Sequence, residues 1–280
     1  MREVSAVLIS ETIKQLFLKA NFHLREDILF KLKEYREIEL SEIGCEILDR
    51  IIENAELASR CETAICQDTG LSIVFFEIGQ DVHVTGMGIY DAVNEGVRAA
   101  YNEGYLRKSV VSDPLHRENT GDNTPAVIHF DIVQGDKIKI MIMPKGFGSE
   151  NMSAIKMLKP SDGIEGVKTF VLETVKKSGS NPCPPIIVGV GIGGTFEKAA
   201  ILAKKALLRP LTQSSSEEYY SKLEKELLYG INNLGLGPQG LGGITTALAV
   251  SIETYPTHFA GLPVAVNISC HASRHEEAVI

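Results

Sequence analysis

The stretch Asn181–Thr195 reads NPCPPIIVGVGIGGT and places a proline-flanked cysteine before an apolar run and a glycine-rich segment. Its prolines flank Cys183 and exclude a helix there, because proline lacks a backbone N–H and restricts the residue before it. The apolar residues 186–190 predict a short buried strand, and residues 195–208 then show apolar positions at helical spacing. A strand and a helix are therefore expected on either side of a glycine-rich turn.

Residues 3–61 predict a helical N-terminal region, with Ser41 as the N-cap of one helix. Further helices are predicted at 91–102, 163–177, 215–228 and about 243–253. Strands are predicted as a hairpin over 71–84 that turns near 79–81, a second hairpin from 126–133 and 137–143, and a strand at 263–268. Because helices and strands are partly segregated, we expect an α+β fold in which the helical N-terminal region packs on a mixed-sheet core. A single domain over residues 1–280 is expected, with a helical subregion over about 1–62.

Composition narrows the class of protein. The 280 residues are 44% hydrophobic and 23% charged, as in soluble globular proteins, and the net charge is −8. An acidic surface repels phosphate backbones, so no nucleic-acid partner is expected. No apolar run approaches the roughly 18 residues that span a bilayer, and no signal-peptide core is present. We therefore expect no membrane association and a cytoplasmic location.

The five cysteines are an odd number and, in the cytoplasm, are expected to be free thiols, metal ligands or catalytic groups. Cys45 and Cys61 lie in a predicted helix and are expected to be small buried hydrophobic residues. Cys66, Cys183 and Cys270 instead lie at the ends of predicted elements, where sites are usually built. No two of these three form the close pairs of a zinc finger. Spacing alone leaves buried thiols and a three-cysteine metal site both open.

Several motifs together resemble one family, the class I iron–sulfur fumarate hydratases with their close relatives the L-tartrate dehydratases. The motifs are CQDTG (66–70), NTGDNTPA (119–126), KGFGSEN (145–151), the stretch 181–195 and GPQGLGG (237–243). The likeness covers nearly the whole chain and matches the N-terminal or α portion of the family. The β portion is not part of this sequence, so the resemblance implies a separate β subunit, together with an α–α dimer.

The resemblance also implies a [4Fe–4S] cluster held by Cys66, Cys183 and Cys270. Three thiolates leave one of the four irons open, and an open iron can act as a Lewis acid on the oxygens of a small dicarboxylate. The implied reaction is the reversible hydration of fumarate to (S)-malate. Dehydration of L-tartrate is the close alternative, because it uses the same elimination chemistry.

Proton transfer and substrate binding need further residues. Asp68 is the candidate base, with a turn or cap residue as its alternative role. Gln67 can donate a hydrogen bond to a substrate carboxylate. Arg107 is the candidate carboxylate clamp, because a guanidinium pairs with a carboxylate through two hydrogen bonds, and Arg117 is its rival.

Three more residues are assigned by position in the family motifs. Gly148 can offer a backbone N–H, although Phe147 stands where relatives often have a further glycine. His258 resembles a substrate-contacting histidine. His271, next to Cys270, is expected to orient the cluster without touching the substrate.

Two other functions are considered. The pattern Gly189-x-Gly191-x-x-Gly194 fits a dinucleotide fingerprint between a strand and a helix, which would make the chain a NAD-binding module. No Asp or Glu follows it about 20 residues later, where residues 210–214 read PLTQS, and a second match at 235–240 has no clear strand before it. A non-catalytic iron–sulfur subunit is the other alternative.

Overall fold

The computed structural model describes residues 1–280, and the chain divides into two compact units. The first unit comprises Met1–Arg25, Asn54–Phe147 and Arg274–Ile280, and the second comprises Glu26–Glu53 and Gly148–Ser273. Neither unit is a continuous piece of chain. The single-domain expectation stays a prediction.

Helices and strands alternate irregularly, and the expected α+β class is confirmed. The helices are α1 Ala6–Phe22, α2 Glu26–Ile38, α3 Glu42–Cys61, α4 Ile89–Glu103, α5 Phe147–Glu150, α6 Gly163–Ser178, α7 Phe196–Ala206 and α8 Glu218–Asn232. The strands are β1 Arg2–Ser5, β2 Leu71–Gly79, β3 Val82–Thr85, β4 Val127–Val133, β5 Ile138–Lys145, β6 Ala154–Leu158, β7 Ile186–Gly193, β8 Ala247–Tyr255, β9 Leu262–Ser269 and β10 Glu276–Val279. Short 3₁₀ turns cover Pro160–Asp162 and Pro238–Gly240.

The first unit is built on a four-stranded mixed sheet in the order β10-β5-β2-β4. Strand β2 pairs parallel with β4 and antiparallel with β5. Helices α1 and α4 pack together and share one core with the sheet, in which Phe17, Phe76 and Tyr101 are fully buried. Each such side chain contributes about 1.5–3 kcal/mol through burial of apolar surface. A separate parallel pair joins β1 to β3.

The second unit contains a mixed sheet in the order β6-β9-β7-β8. Alternation along β7 separates its two faces. Val188 and Val190 belong to a core that also contains residues of α6 and α8. The opposite face carries Gly189 and Gly191, against which α7 packs: a Cβ at either glycine would lie 2.1 Å from a carbonyl oxygen of that helix. The glycines of the dinucleotide-like pattern therefore allow close packing of a helix on a strand.

Several predicted elements are confirmed, and the strand pairings are not. Helices α4, α6 and α7 and strands β7 and β9 lie where the sequence placed them, and Ser41 accepts the Gly44 N–H at 3.1 Å as the N-cap of α3. Both predicted hairpins are wrong, because β2 pairs with β4 and β5, and β3 pairs with β1. The helix predicted at about 243–253 is also wrong, since residues 247–255 form β8, a strand buried over most of its length.

None of the helices combines the length and apolar character that crossing a bilayer would need.

Candidate functional site

The CQDTG motif forms a loop, Cys66–Gly70, that leads into β2 of the first unit; it is called the Cys66 loop below. Gly70 has φ +81°, and a Cβ there would lie 2.6 Å from the backbone nitrogen of Lys145. Only glycine fits this position. The buried Tyr101 hydroxyl donates to the carbonyls of Thr69 at 2.7 Å and Gly70 at 3.0 Å. Burial raises the pKa of Tyr101 to about 12, so the hydroxyl remains a donor.

Asn123, from the NTGDNTPA motif, links the same loop to the segment that carries Arg107. Its side chain is fully buried, donates to the carbonyl of Gly70 at 3.2 Å and accepts the Ser109 N–H at 2.7 Å. The Thr69 hydroxyl also donates to the carbonyl of Arg107 at 3.0 Å. The first unit thus brings the Cys66 loop next to the backbone of Arg107.

Asp68 is held at three points. Its Oδ1 accepts the Gly70 N–H at 3.1 Å, a turn-type bond, and its Oδ2 accepts the Phe147 N–H at 2.9 Å. The buried Arg274 donates to the Asp68 carbonyl at 2.6 Å and to Asn21 at 3.1 Å. The carboxylate therefore orders the loop. Each of its oxygens has a second lone pair, which leaves room to accept a proton.

The two candidate clamps differ in their surroundings. Arg107 is exposed, and its backbone is tied to the Cys66 loop. The Arg117 side chain instead lies over its own turn, with Nη1 3.5 Å from the carbonyl of Pro114. Gln67 lies beside the thiol, with its Oε1 3.6 Å from the Cys66 Sγ.

In the second unit, the NPCPP motif forms the loop Asn181–Pro185 immediately before β7, called the Cys183 loop below. Cys270 directly follows β9. Because β7 and β9 are antiparallel, with Ile187 opposite Ser269, the start of β7 and the end of β9 lie at the same end of the sheet. His271 Nδ1 lies 2.9 Å from the carbonyl of Cys183. The second unit therefore brings the segments of Cys183 and Cys270 together.

The GPQGLGG motif lies in the loop 235–243, called the glycine loop below, and packs on the Cys183 loop. The backbone N–H of Gln239 donates to the carbonyl of Pro184 at 2.8 Å, and its side-chain Nε2 reaches the same oxygen at 3.1 Å. Gly240 lies so close to Ser180 that a Cβ would approach the Ser180 Cβ to 2.5 Å. The glycine loop, which connects α8 to β8, thus packs against the loop that carries Cys183.

Gly148 and His258 occupy different regions of the second unit. Gly148 lies in α5, and a Cβ built on it would come 3.6 Å from the carbonyl oxygen of Asn181, at the start of the Cys183 loop. His258 lies between β8 and β9 and lines a cavity of about 440 Å³ with Thr195 and Lys198. That is the opposite end of the sheet from Cys183 and Cys270, about 25 Å away along strands of eight residues.

None of the five cysteines forms a disulfide. Cys183 is exposed, Cys66 and Cys270 are half-buried, and thiolates are the usual ligands of iron–sulfur clusters. Cys45 is half-buried, and Cys61 is exposed at the end of α3, so its predicted burial is wrong.

Neither unit gathers three or more His, Cys, Asp or Glu side chains around one point that could hold a single metal ion. A cluster makes a different demand, because each thiolate binds a separate iron: the three sulfurs need not meet at one atom, but they must lie around one cluster. Cys66, Cys183 and Cys270 form no disulfide and none of them is fully buried, so their thiols fit a cluster in their chemistry.

Sequence reasoning missed several residues that hold these loops. Asn123 and Gln239 lie inside motifs that were recognised, yet no role was assigned to either. Their position inside these motifs was the sequence feature that could have pointed to a role. Arg274 carried no signal at all, because its contacts with Asn21 and Asp68 lie more than 200 positions away along the chain.

Comparison with known proteins gives a consistent result. The model of the family described as Fumarate hydratase (Fumerase) matches residues 10–279. A protein of Methanocaldococcus jannaschii named "Putative L(+)-tartrate dehydratase subunit alpha" is 49% identical over 272 residues, covering 95% of each chain. The L(+)-tartrate dehydratase subunit alpha of Escherichia coli (strain K12) is 32% identical over 269 residues, covering 95% of this chain and 88% of that protein.

Proposed function

The chain belongs to the fumarate hydratase (Fumerase) family of hydro-lyases, and from that premise we propose that it is the α subunit of a [4Fe–4S] enzyme that reversibly hydrates fumarate to (S)-malate. The observation that carries the proposal is the placement of the family motifs. The Cys66 loop and the Cys183 loop each lead into a strand. Asn123 and Gln239, from two further motifs, and His271, next to Cys270, lie within hydrogen-bond distance of these loops.

We propose Cys66, Cys183 and Cys270 as the cluster ligands. When bound, the cluster supplies a Lewis acid, because three thiolates leave one of its four irons without a protein ligand. The absence of a disulfide at these cysteines and their partial or full exposure support this assignment.

The chain's own residues then bind and orient a four-carbon dicarboxylate. The exposed guanidinium of Arg107 pairs with one substrate carboxylate through two hydrogen bonds. Gln67 and the backbone N–H of Gly148 donate further hydrogen bonds. In the dehydration direction Asp68 takes the proton from the carbon beside a carboxylate, at the second lone pair of a carboxylate oxygen, while the hydroxyl leaves the neighbouring carbon. In the hydration direction Asp68 returns that proton as the hydroxyl is added.

The proposed substrate contact of His258 stays a prediction. Its position at the far end of the second sheet from Cys183 and Cys270 gives it no support. Arg107 is favoured over Arg117, because the side chain of Arg117 rests on its own turn.

L-tartrate is the second candidate substrate, and the names of the relatives favour it. Both reactions remove or add water next to a carboxylate, so the same groups of this chain serve either one. We propose further that a separate β subunit completes the enzyme, as the subunit names of the relatives suggest, and that two α chains associate. Five cysteines without a disulfide favour a reducing compartment, which supports the proposed cytoplasmic location.

The test is anaerobic purification with and without the cognate β chain, followed by assays of iron, visible absorption, fumarate hydration and tartrate dehydration. We expect Cys66→Ser, Cys183→Ser and Cys270→Ser each to lose the iron, and the matched Cys45→Ser variant to keep it. An essential Cys45 with a dispensable Cys270 would contradict the ligand assignment. A large rise in thermal stability with NAD would instead favour the dinucleotide alternative.

Arg107→Lys and Arg117→Lys form a second matched pair, measured in the same complex. We expect Arg107→Lys to raise KM by roughly tenfold or more, because one point charge replaces a two-point contact. Arg117→Lys is expected to leave KM near the wild-type value, and the reverse pattern would exchange the two roles.

A further inference from the structure

Cys183 has an unusual backbone conformation. Its φ is +55°, in the left-handed region that residues with a side chain rarely occupy. Such a residue is strained and persists where its surroundings hold it in place. The value of φ also sets the direction of the Cβ, and therefore where the thiol points. Whatever holds this conformation controls the placement of the sulfur.

Two peptide carbonyls of the Cys183 loop are held from outside the loop. The carbonyl of Cys183 lies 2.9 Å from His271 Nδ1. The next carbonyl, of Pro184, accepts both the backbone N–H of Gln239 at 2.8 Å and its side-chain Nε2 at 3.1 Å. Gln239 itself has φ +52°, so the residue that supplies both donors to Pro184 also lies in the left-handed region.

The carbonyl of Cys183 also determines which ring nitrogen of His271 carries a hydrogen. A carbonyl oxygen only accepts, so the 2.9 Å contact requires a hydrogen on His271 Nδ1. The amide nitrogen of Gln239 lies 3.4 Å from the same Nδ1 but is already directed at the carbonyl of Pro184. His271 thus donates to the carbonyl of Cys183, and the side chain of Gln239 donates to the next carbonyl, that of Pro184.

We propose that Gln239 and His271 are positioning residues for Cys183, holding its left-handed backbone so that the thiol is presented at the end of the sheet where Cys270 also lies. The link to a cluster rests on the proposed function. The positioning itself concerns the chain alone and can be measured without iron. It assigns a role to the glutamine of the GPQGLGG motif.

The variants separate the donor from the bulk of each side chain. In His271→Asn the amide nitrogen takes the place of Nδ1 and can still donate to Cys183, whereas in His271→Gln the amide lies near the position of Nε2. Gln239→Glu keeps the shape and replaces the donor by an acceptor that opposes the carbonyl of Pro184. Gln213→Glu, at an exposed position of the second unit, is the matched charge control.

Three measurements are made on the full chain. We expect His271→Gln and Gln239→Glu to shorten the survival of the reconstituted cluster against a chelator by roughly tenfold, with His271→Asn and Gln213→Glu near wild type. The iron-free variants should lose at most about 4 °C in Tm, the cost of one hydrogen bond. Alkylation of Cys183 in the iron-free chain, relative to the exposed Cys61, should change at least threefold in the same two variants, since loss of the donor moves the thiol.

The outcomes are distinguishable. Wild-type iron retention and wild-type alkylation in His271→Gln and Gln239→Glu would overturn the inference, as would an Asn variant that behaves like the Gln variant. A loss of more than about 10 °C in Tm would show a general structural role instead. A wild-type complex that binds no cluster would end the proposed function, while alkylation would still decide the positioning.

Discussion

The carboxylate of Glu39 accepts the backbone N–H of Thr245 at 2.9 Å, although the two residues are 206 positions apart. The same buried carboxylate also accepts the N–H groups of Ile244, Leu40 and Ser41. The Glu39 side chain thus links the end of α2 to Ile244 and Thr245, which follow the glycine loop. Burial opposes its ionisation, but the N–H donors outweigh burial and lower the pKa of Glu39.

Glu39→Gln is expected to reduce the free energy of unfolding by roughly 2–3 kcal/mol, because an amide N–H would face backbone donors that lose their acceptor. The measurement is the midpoint of urea unfolding. Glu46→Gln, at an exposed position of α3, should change it by less than about 0.5 kcal/mol. Equal midpoints for the two variants would show that the carboxylate contributes nothing.

Asn123→Ala is expected to cost roughly 3 kcal/mol. The change leaves the N–H of Ser109 without its acceptor and removes one of the two donors to the carbonyl of Gly70, and alanine is disfavoured at φ +64°. Asn123→Gly relieves the backbone strain and should recover about 1 kcal/mol of this loss. Urea unfolding measures both, with the exposed Asn102→Ala as the control, and an unfolding free energy near wild type would contradict the role of Asn123 in holding the Cys66 loop.

Gly189→Ala and Gly191→Ala are each expected to destabilise the chain by more than about 3 kcal/mol, because the added methyl group would overlap a carbonyl of α7. Gly261→Ala is the control, since the nearest atom to its Cβ lies 3.9 Å away. Thermal unfolding of the three variants tests this. Tolerance of alanine at both positions of β7 would show that the helix does not pack as described.

Asp122 provides a prediction for the dependence of stability on pH. Partial burial opposes its ionisation, but hydrogen bonds from Thr124 and Arg98 outweigh burial and lower the pKa of Asp122 to about 2. A depressed folded-state pKa stabilises the fold above the unfolded-state pKa, and this contribution disappears as the pH falls from about 4 toward 2. It amounts to at most about 2 kcal/mol at neutral pH.

The expected result is that Asp122→Asn is less stable than wild type at pH 7 and that the difference shrinks below about pH 4. Urea unfolding at a series of pH values measures it. Asp136→Asn, at an exposed position, should show no such convergence. A difference that stays constant between pH 7 and pH 3 would rule out the carboxylate charge as the cause.

Local sequence patterns located the helices and strands better than they predicted which strands pair. The helical spacing of residues 91–102 and 163–177 was enough to find α4 and α6, because amphipathic periodicity is a local property. The predicted hairpins failed because β2 lies between β4 and β5 in the sheet, an order that no local pattern encodes. For β8, an apolar run with no clear alternation could not be told from a buried helix.

The candidate site likewise contains residues that local patterns located and residues that they did not. The motifs and the ends of strands indicated where Cys66, Cys183 and Cys270 would lie, and the structure places all three in loops at strand ends. The residues that hold these loops could not be found from spacing, because Gln239 reaches the Cys183 loop from 55 positions away. Such contacts arise from the folding of distant segments.

The edge position of β10 bears on how the protein is made. This strand pairs antiparallel with β5, and Ile280 exchanges two hydrogen bonds with Ile138, each 2.9 Å long. Vectorial synthesis delivers residues 148–273 of the second unit before β10 leaves the ribosome. The nascent chain therefore carries an open edge on β5 through that interval, and β10 is the last strand to join the sheet.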